Sequence, residues 1–103
     1  MFHMISCFNL KPGEDIESFC SAYALFVDEI KRIDLVESSS PVGQRQNDAR
    51  NHEYFAVMSF RDRVQVDTAY EHIMQHVGST DAAHDAVYTH ELDPVFICWQ
   101  DLP

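Results

Sequence analysis

Three short segments of this sequence are apolar on both of the faces that a β-strand would present. In residues 2–10, one set of alternate positions carries Phe2, Met4 and Phe8 and the other carries Ile5 and Cys7. Residues 52–60 set Tyr54, Ala56, Met58 and Phe60 against Phe55 and Val57, and residues 95–100 set Val95, Ile97 and Trp99 against Phe96 and Cys98. Side chains alternate across a strand, so a sheet covered on one side only should show a polar residue at every second position. These segments break that pattern, and both faces of the sheet they build need a cover.

Helices supply one cover. Ile16, Phe19, Cys20, Tyr23, Phe26, Val27, Ile30 and Ile33 recur three and four apart, with Glu14, Asp15 and Glu17 at the start and Lys31 and Arg32 near the end, which predicts an amphipathic helix whose charges complement its dipole. Asp62 is placed to cap a second helix with the stripe Val66, Ala69, Tyr70, Ile73 and Val77, closed by Gly78-Ser79. Residues 81–89 have the composition of a further short helix with Val87 and Tyr88 facing inward. Two long helices cover one face of a four-stranded sheet, and a chain of 103 residues, read as one domain over 1–103, holds nothing large enough for the other. Each large apolar side chain left in water forgoes about 1.5 to 3 kcal/mol of burial. Pairing with a second copy through the open face removes that penalty, and a homodimer is the expectation.

Turn signals order the remaining elements. Lys11-Pro12-Gly13 follows the first strand, residues 35–46 are polar and interrupted by Pro41 and Gly43 as in an edge strand with a bend, and residues 46–51 form a polar link into the strand at 52–60. Pro94 introduces the last strand at 95–100. The resulting order is β-α-β-β-α-β, an α+β arrangement.

The formal net charge is -10 and the seven basic side chains, Arg45 and Arg50 among them, form no stripe, which argues against nucleic acid and anionic membrane surfaces as partners. Met1-Phe2-His3-Met4-Ile5 has no basic start or cleavage site of a secretory signal, and no apolar run is long enough to span a bilayer, so a cytoplasmic location is expected. Cys7, Cys20 and Cys98 are odd in number and sit in apolar stretches, as buried reduced thiols do. Neither a glycine-rich loop nor a nucleophile elbow is present, and no metal or cofactor is expected.

The βαββαβ order, the Lys11-Pro12-Gly13 turn before Glu14-Asp15-Ile16-Glu17-Ser18-Phe19, and the two-faced sheet together resemble the dimeric α/β-barrel superfamily of ferredoxin-like domains. Leu35-Val36-Glu37-Ser38, His52-Glu53-Tyr54-Phe55, Met58-Ser59-Phe60-Arg61-Asp62 and Pro94-Val95-Phe96-Ile97-Cys98-Trp99-Gln100-Asp101 resemble segments of an uncharacterised bacterial family within it. The resemblance implies a ferredoxin-like, four-stranded antiparallel sheet in a dimeric barrel. It implies no particular activity, since the superfamily holds cofactor-free oxygenases, lactone isomerases, haem-degrading enzymes and stress-induced proteins.

Six residues stand out as candidates for contact with a ligand. His52 and Tyr54, two apart, would share a strand face with Met58 and Phe60 and so combine an imidazole and a phenol with apolar walls. Arg45, on the neighbouring hairpin strand, could bring a cation to a carboxylate or enolate. His84 and Tyr88 share one side of the short helix, and Trp99 is an interface or core anchor expected to lie near His3. For each, packing or a solvated surface is the simpler role. His72 and His76 have metal-ligand spacing, but the stripe of their helix puts both away from its apolar face. Cys7 and Cys98 are expected on adjacent strands. The sequence thus points to a homodimer holding a small, partly apolar molecule between sheet and helices. A cofactor-independent oxygenase or isomerase with a histidine base, and a stress-related assembly protein without a ligand, are the alternatives.

Overall fold

The computed structural model describes residues 1–47 and 51–103. Its elements are β1 (Phe2–Leu10), α1 (Ile16–Arg32), β2 (Ser38–Ser39), β3 (Gly43–Gln44), β4 (Tyr54–Phe60), α2 (Arg63–Met74), α3 (Gly78–Tyr88) and β5 (Glu91–Gln100). The strands form one antiparallel sheet in the order β2-β4-β1-β5, with β3 also paired to β4. This is the ferredoxin-like arrangement, with one correction. The expected second strand is two short ones, because Ser40-Pro41-Val42 interrupts it and proline cannot donate to a ladder. Within one chain the sheet is open, with β5 and the β2/β3 pieces at opposite edges.

Register assigns the faces. Phe2, Met4, Ser6 and Phe8 of β1 pair across to Phe60, Met58, Ala56 and Tyr54, and these positions turn toward the helices. Phe8 is fully buried, and its ring meets Phe19 of α1 at 4.7 Å and Tyr54 at 5.9 Å between centroids. Asp15 caps α1 by accepting hydrogen bonds from the amides of Glu17 and Ser18, and the helix buries Phe19, Tyr23, Phe26 and Ile30 at the spacing its stripe predicts. Leu35, Val36, Ala69 and Val87 complete the core.

The second helical stripe is less faithful to its sequence. α2 starts at the expected cap, Asp62 accepting from the Gln65 amide, but it buries Gln65 and Ala69 while Tyr70 is 67% and Val77 53% exposed. The reason lies in Gln65. Its buried amide side chain accepts from the Arg61 backbone and donates to the Asp34 carbonyl and Glu37, which turns the helix so that this network faces inward. The helix stops at Met74, and Gly78 opens α3 with φ of 69° instead of closing α2. Within α3, Val87 faces the core while Tyr88 is 48% exposed at its border.

The last strand begins earlier than expected, at Glu91, and contains Pro94 without breaking. β5 is an edge strand, so the missing amide loses no ladder bond, and a bulge between Cys7 and Asn9 absorbs Asp93, whose φ is 52°. Cys7 faces Val95 and Cys98 faces Met4, so the two thiols project from opposite faces, and Cys98 is exposed while Cys7 and Cys20 are half-buried. Apolar neighbours in sequence did not translate into burial at the sheet edge. The polar link expected over 46–51 includes residues 48–50, outside the described ones. Among the described residues, no helix is long and apolar enough to cross a membrane.

Phe8 joins α1, β1 and β4, so Phe8→Ala should lower unfolding free energy by about 3 to 5 kcal/mol in urea titration. A loss below about 1 kcal/mol would mean that the core closes without it.

Candidate functional site

Between the helix-facing side of the sheet and the three helices lies a cavity of about 120 Å³. Its walls are mostly apolar, contributed by Met4, Met58 and Phe60 of the sheet, Phe26 and Ile30 of α1, and Ala69 and Ile73 of α2. Tyr70, Tyr88 and Phe96 also line it and are 67%, 48% and 48% exposed, so they mark its mouth between α2, α3 and the edge strand.

Few polar groups reach this space, and one is a carboxylate. Glu91 follows α3 after a tight Thr89-His90 connection, in which the His90 amide bonds to Val87 and the Lys11 amide bonds to His90. Pairing with Leu10 then puts Glu91 on the helix-facing side, where it is 7% exposed. Its Oε2 is buried with no hydrogen-bond partner. Burial alone pushes the carboxyl up to about 7. A buried carboxyl with an unmatched oxygen is costly in a core, which makes Glu91 a candidate for a functional group.

The groups opposite Glu91 are neutral. Tyr23 shares a hydrogen bond of 2.6 Å with Ser39, and burial holds its hydroxyl above the ordinary range, with the Glu91 charge adding to that. His84 has its imidazole against Phe26 at 5.4 Å and stacked on Tyr88 at 5.7 Å, and burial depresses its pKa, the Asp81 and Asp85 charges only partly offsetting the loss of water. Ser6 reaches the Ala56 carbonyl at 3.5 Å, a weak bond. No lysine or arginine is among the described lining residues.

The six residues selected from sequence fall in three places. His84 and Tyr88 line the interior cavity. Arg45, His52 and Tyr54 line an open groove of about 370 Å³ that also takes in Ile5, Cys7, Gln44 and Phe55. His52 precedes β4, and its Nε2–H donates to the Asp93 carbonyl at 2.8 Å, while the Tyr54 ring packs on Phe8. Trp99 lies on the open face, stacked on His3 at 5.0 Å as expected from pairing of the first and last strands. His72 and His76 bond separately, to Thr80 and Asp81. Glu91, Tyr23 and Tyr70 were missed. The signal for Glu91 was a lone acidic residue between helix and strand, which the alternation rule could have flagged only with the β1 register known.

A second polar cluster sits on the open face. His3 Nδ1 bonds Ser59 Oγ at 2.8 Å and His3 Nε2 bonds Asp101 Oδ1 at 2.9 Å, a Ser-His-Asp chain. None of the three lines the cavity or the groove, and Asp101 also pairs with the N-terminal ammonium at 3.5 Å. Without an adjoining pocket of oxyanion donors, this chain ties β1, β4 and the C-terminal end together.

Known structures share this fold. The chain superposes on a protein from Arabidopsis thaliana, At3g17210, with a TM-score of 0.77 at 11% identity, covering 100% of this chain and 97% of that one. A cofactor-independent oxygenase from Streptomyces nogalater, SnoaB, gives 0.73 at 10% identity, covering 97% and 91%. A dimeric ferredoxin-like protein of unknown function from Jannaschia sp. gives 0.70 at 12% identity, covering 97% and 98%. No family model and no curated protein sequence matches the chain. Identities this low establish the fold and leave the chemistry to the site.

Glu91 makes stability depend on pH in a checkable direction. Its folded pKa is raised from 4.5 to about 7, so the native state holds the proton more tightly and the stabilisation is full below pH 4.5 and lost as pH rises through 7. The wild type should lose about 2 to 3 kcal/mol between pH 5 and pH 8 from this group. Glu91→Gln should abolish that slope and be the more stable protein at pH 8 in denaturant titrations, and an unchanged slope would remove Glu91 as its source.

Proposed function

We propose that this chain binds a small, partly apolar molecule in the cavity between its sheet and its helices, and does so as one half of a homodimer. The observation that carries the ligand reading is the unmatched Glu91 oxygen, buried in an otherwise apolar cavity with an aromatic mouth. A ligand that is mostly hydrocarbon with one polar group fits such a lining, its apolar part replacing water against Phe26, Phe60 and Ile73 while its polar end meets Glu91. His84 and Tyr88 belong to this site, and His52, Tyr54 and Arg45 to a separate groove.

The homodimer rests on the other face. Phe55, Leu92, Val95, Ile97 and Trp99 are 37%, 38%, 43%, 53% and 41% exposed on the side that no helix covers. At positions 3–9, 55–59 and 95–99 that face carries no charged carboxylate or ammonium side chain. Two copies of an acidic chain can therefore meet there without opposing their excess charge across the contact. Structural neighbours described as dimeric support the same reading.

One observation favours an enzyme as a second reading. A carboxyl near 7 in a mostly apolar cavity is poised to take a proton from carbon beside a carbonyl, and neutral His84 is a second base within the same walls. The Streptomyces nogalater neighbour is described as a cofactor-independent oxygenase. That link is an analogy of fold.

A thermal-shift panel of aromatic compounds, lactones and porphyrins tests for a ligand, and turnover of any binder separates the two readings. A binder at a hundred times its Kd should add about 2.7 kcal/mol of stability, and Ala69→Leu, which fills the cavity, should cancel the effect. No shift across the panel would reject the ligand reading. For the dimer, light scattering should return twice the protomer mass at micromolar concentration, and Ile97→Arg should halve it while the fold persists by circular dichroism; a wild-type monomer would overturn the pairing.

A further inference from the structure

We infer that the cavity selects a ligand bearing a protonated amine next to an aromatic or aliphatic body, with Glu91 as counter-ion and the surrounding rings as a cage for the cation. The inference rests on the ligand reading above and deepens it by naming the class.

Geometry carries it. Glu91 is the one formal charge among the described lining residues, its Oε2 has no partner, and no lysine or arginine lies in the walls to supply one. The rings of Tyr23, Phe26, Tyr70, Tyr88 and Phe96 line the same space from α1, α2, α3 and β5. A carboxylate inside aromatic walls is the arrangement that holds an ammonium, because the ring faces are electronegative and the carboxylate accepts N–H bonds from the cation. A ligand carboxylate would meet Glu91 with like charge. A neutral alcohol could bond Glu91 but would leave its charge uncompensated among mostly apolar walls. The chain's net charge of -10 also draws cations toward the mouth.

The elevated carboxyl fits this picture. Desolvation is the sole cause of the elevation, meaning that no protein group compensates the charge, and an ammonium would do so and drive the proton off on binding. The titratable groups facing Glu91 are Tyr23 from α1, Tyr70 from α2, and His84 and Tyr88 from α3. Burial raises the Tyr23 hydroxyl above its ordinary range. Protonation of His84 at low pH would oppose a cation, which acts in the same direction as neutralisation of Glu91, so a variant has to separate the two.

Benzylamine, benzyl alcohol and benzoate share a ring and differ in the group offered to Glu91. Isothermal titration at pH 8 should show benzylamine binding at least tenfold more tightly than benzyl alcohol, with benzoate weaker than either. Benzylamine affinity should fall at least fivefold between pH 8 and pH 5.5. Glu91→Gln should erase the preference for the amine over the alcohol and most of the pH dependence of amine binding, and residual pH dependence in the variant measures His84. Benzyl alcohol binding as tightly as benzylamine would overturn the amine assignment and leave the cavity as a ligand site. Binding of none of the three would count against both. Should Glu91→Gln not fold, the wild-type ranking of the three compounds decides the matter.

Discussion

Aromatic packing of one helix against alternate positions of the two central strands organises this protein. Phe8 lies between Phe19 and Tyr54, and Tyr23, Phe26 and Ile30 continue the contact along α1. With that row in place, the even-numbered positions of β1 and β4 must face the helices and the odd-numbered ones must face away, since a slip of one residue would exchange the faces of a whole strand. Both the interior cavity and the bare outer face follow from this single choice. The cavity forms between α1, the shorter α2 and α3, and the sheet, and the bare face forms because no helix remains to cover it.

Glu91 shows how a tight connection can override residue preference. Two residues separate it from α3, and the β1 pairing leaves its side chain nowhere to go but inward. The core tolerates the carboxyl because it can stay protonated up to about pH 7, which avoids most of the desolvation penalty of a buried charge. The same property makes the group responsive to whatever enters the cavity. Gln65 is the contrasting case, a buried polar side chain whose amide finds partners on Arg61, Asp34 and Glu37, and it serves the turn into α2.

Where the sequence misled, edges and ends were responsible. The stripe of α2 named Tyr70 and Val77 as core, yet the helix rotates around Gln65 and stops at Met74. The cysteines read as buried because their neighbours are apolar, but Cys98 belongs to an edge strand whose end the helices do not reach. His52 precedes β4 and is drawn to the Asp93 carbonyl, yet it shares with Tyr54 and Arg45 the open groove beside the sheet. His84 and Tyr88 were recognised by spacing, and the structure adds that both border the same cavity as Glu91.

Periodicity and local residue chemistry determined the α+β class, the main strand and helix order, the cap at Asp62, and the excess of apolar strand positions, because each depends on residues near one another in the chain. The assembly of a site did not lie within its reach. Glu91, Tyr23 and Tyr70 come from a strand start, a first helix and a second helix, and their convergence depends on sheet register and helix rotation, which long-range packing sets. Which of the two apolar strand faces would be covered was likewise decided only in three dimensions, by the side on which α1 could seat its rings against Phe8.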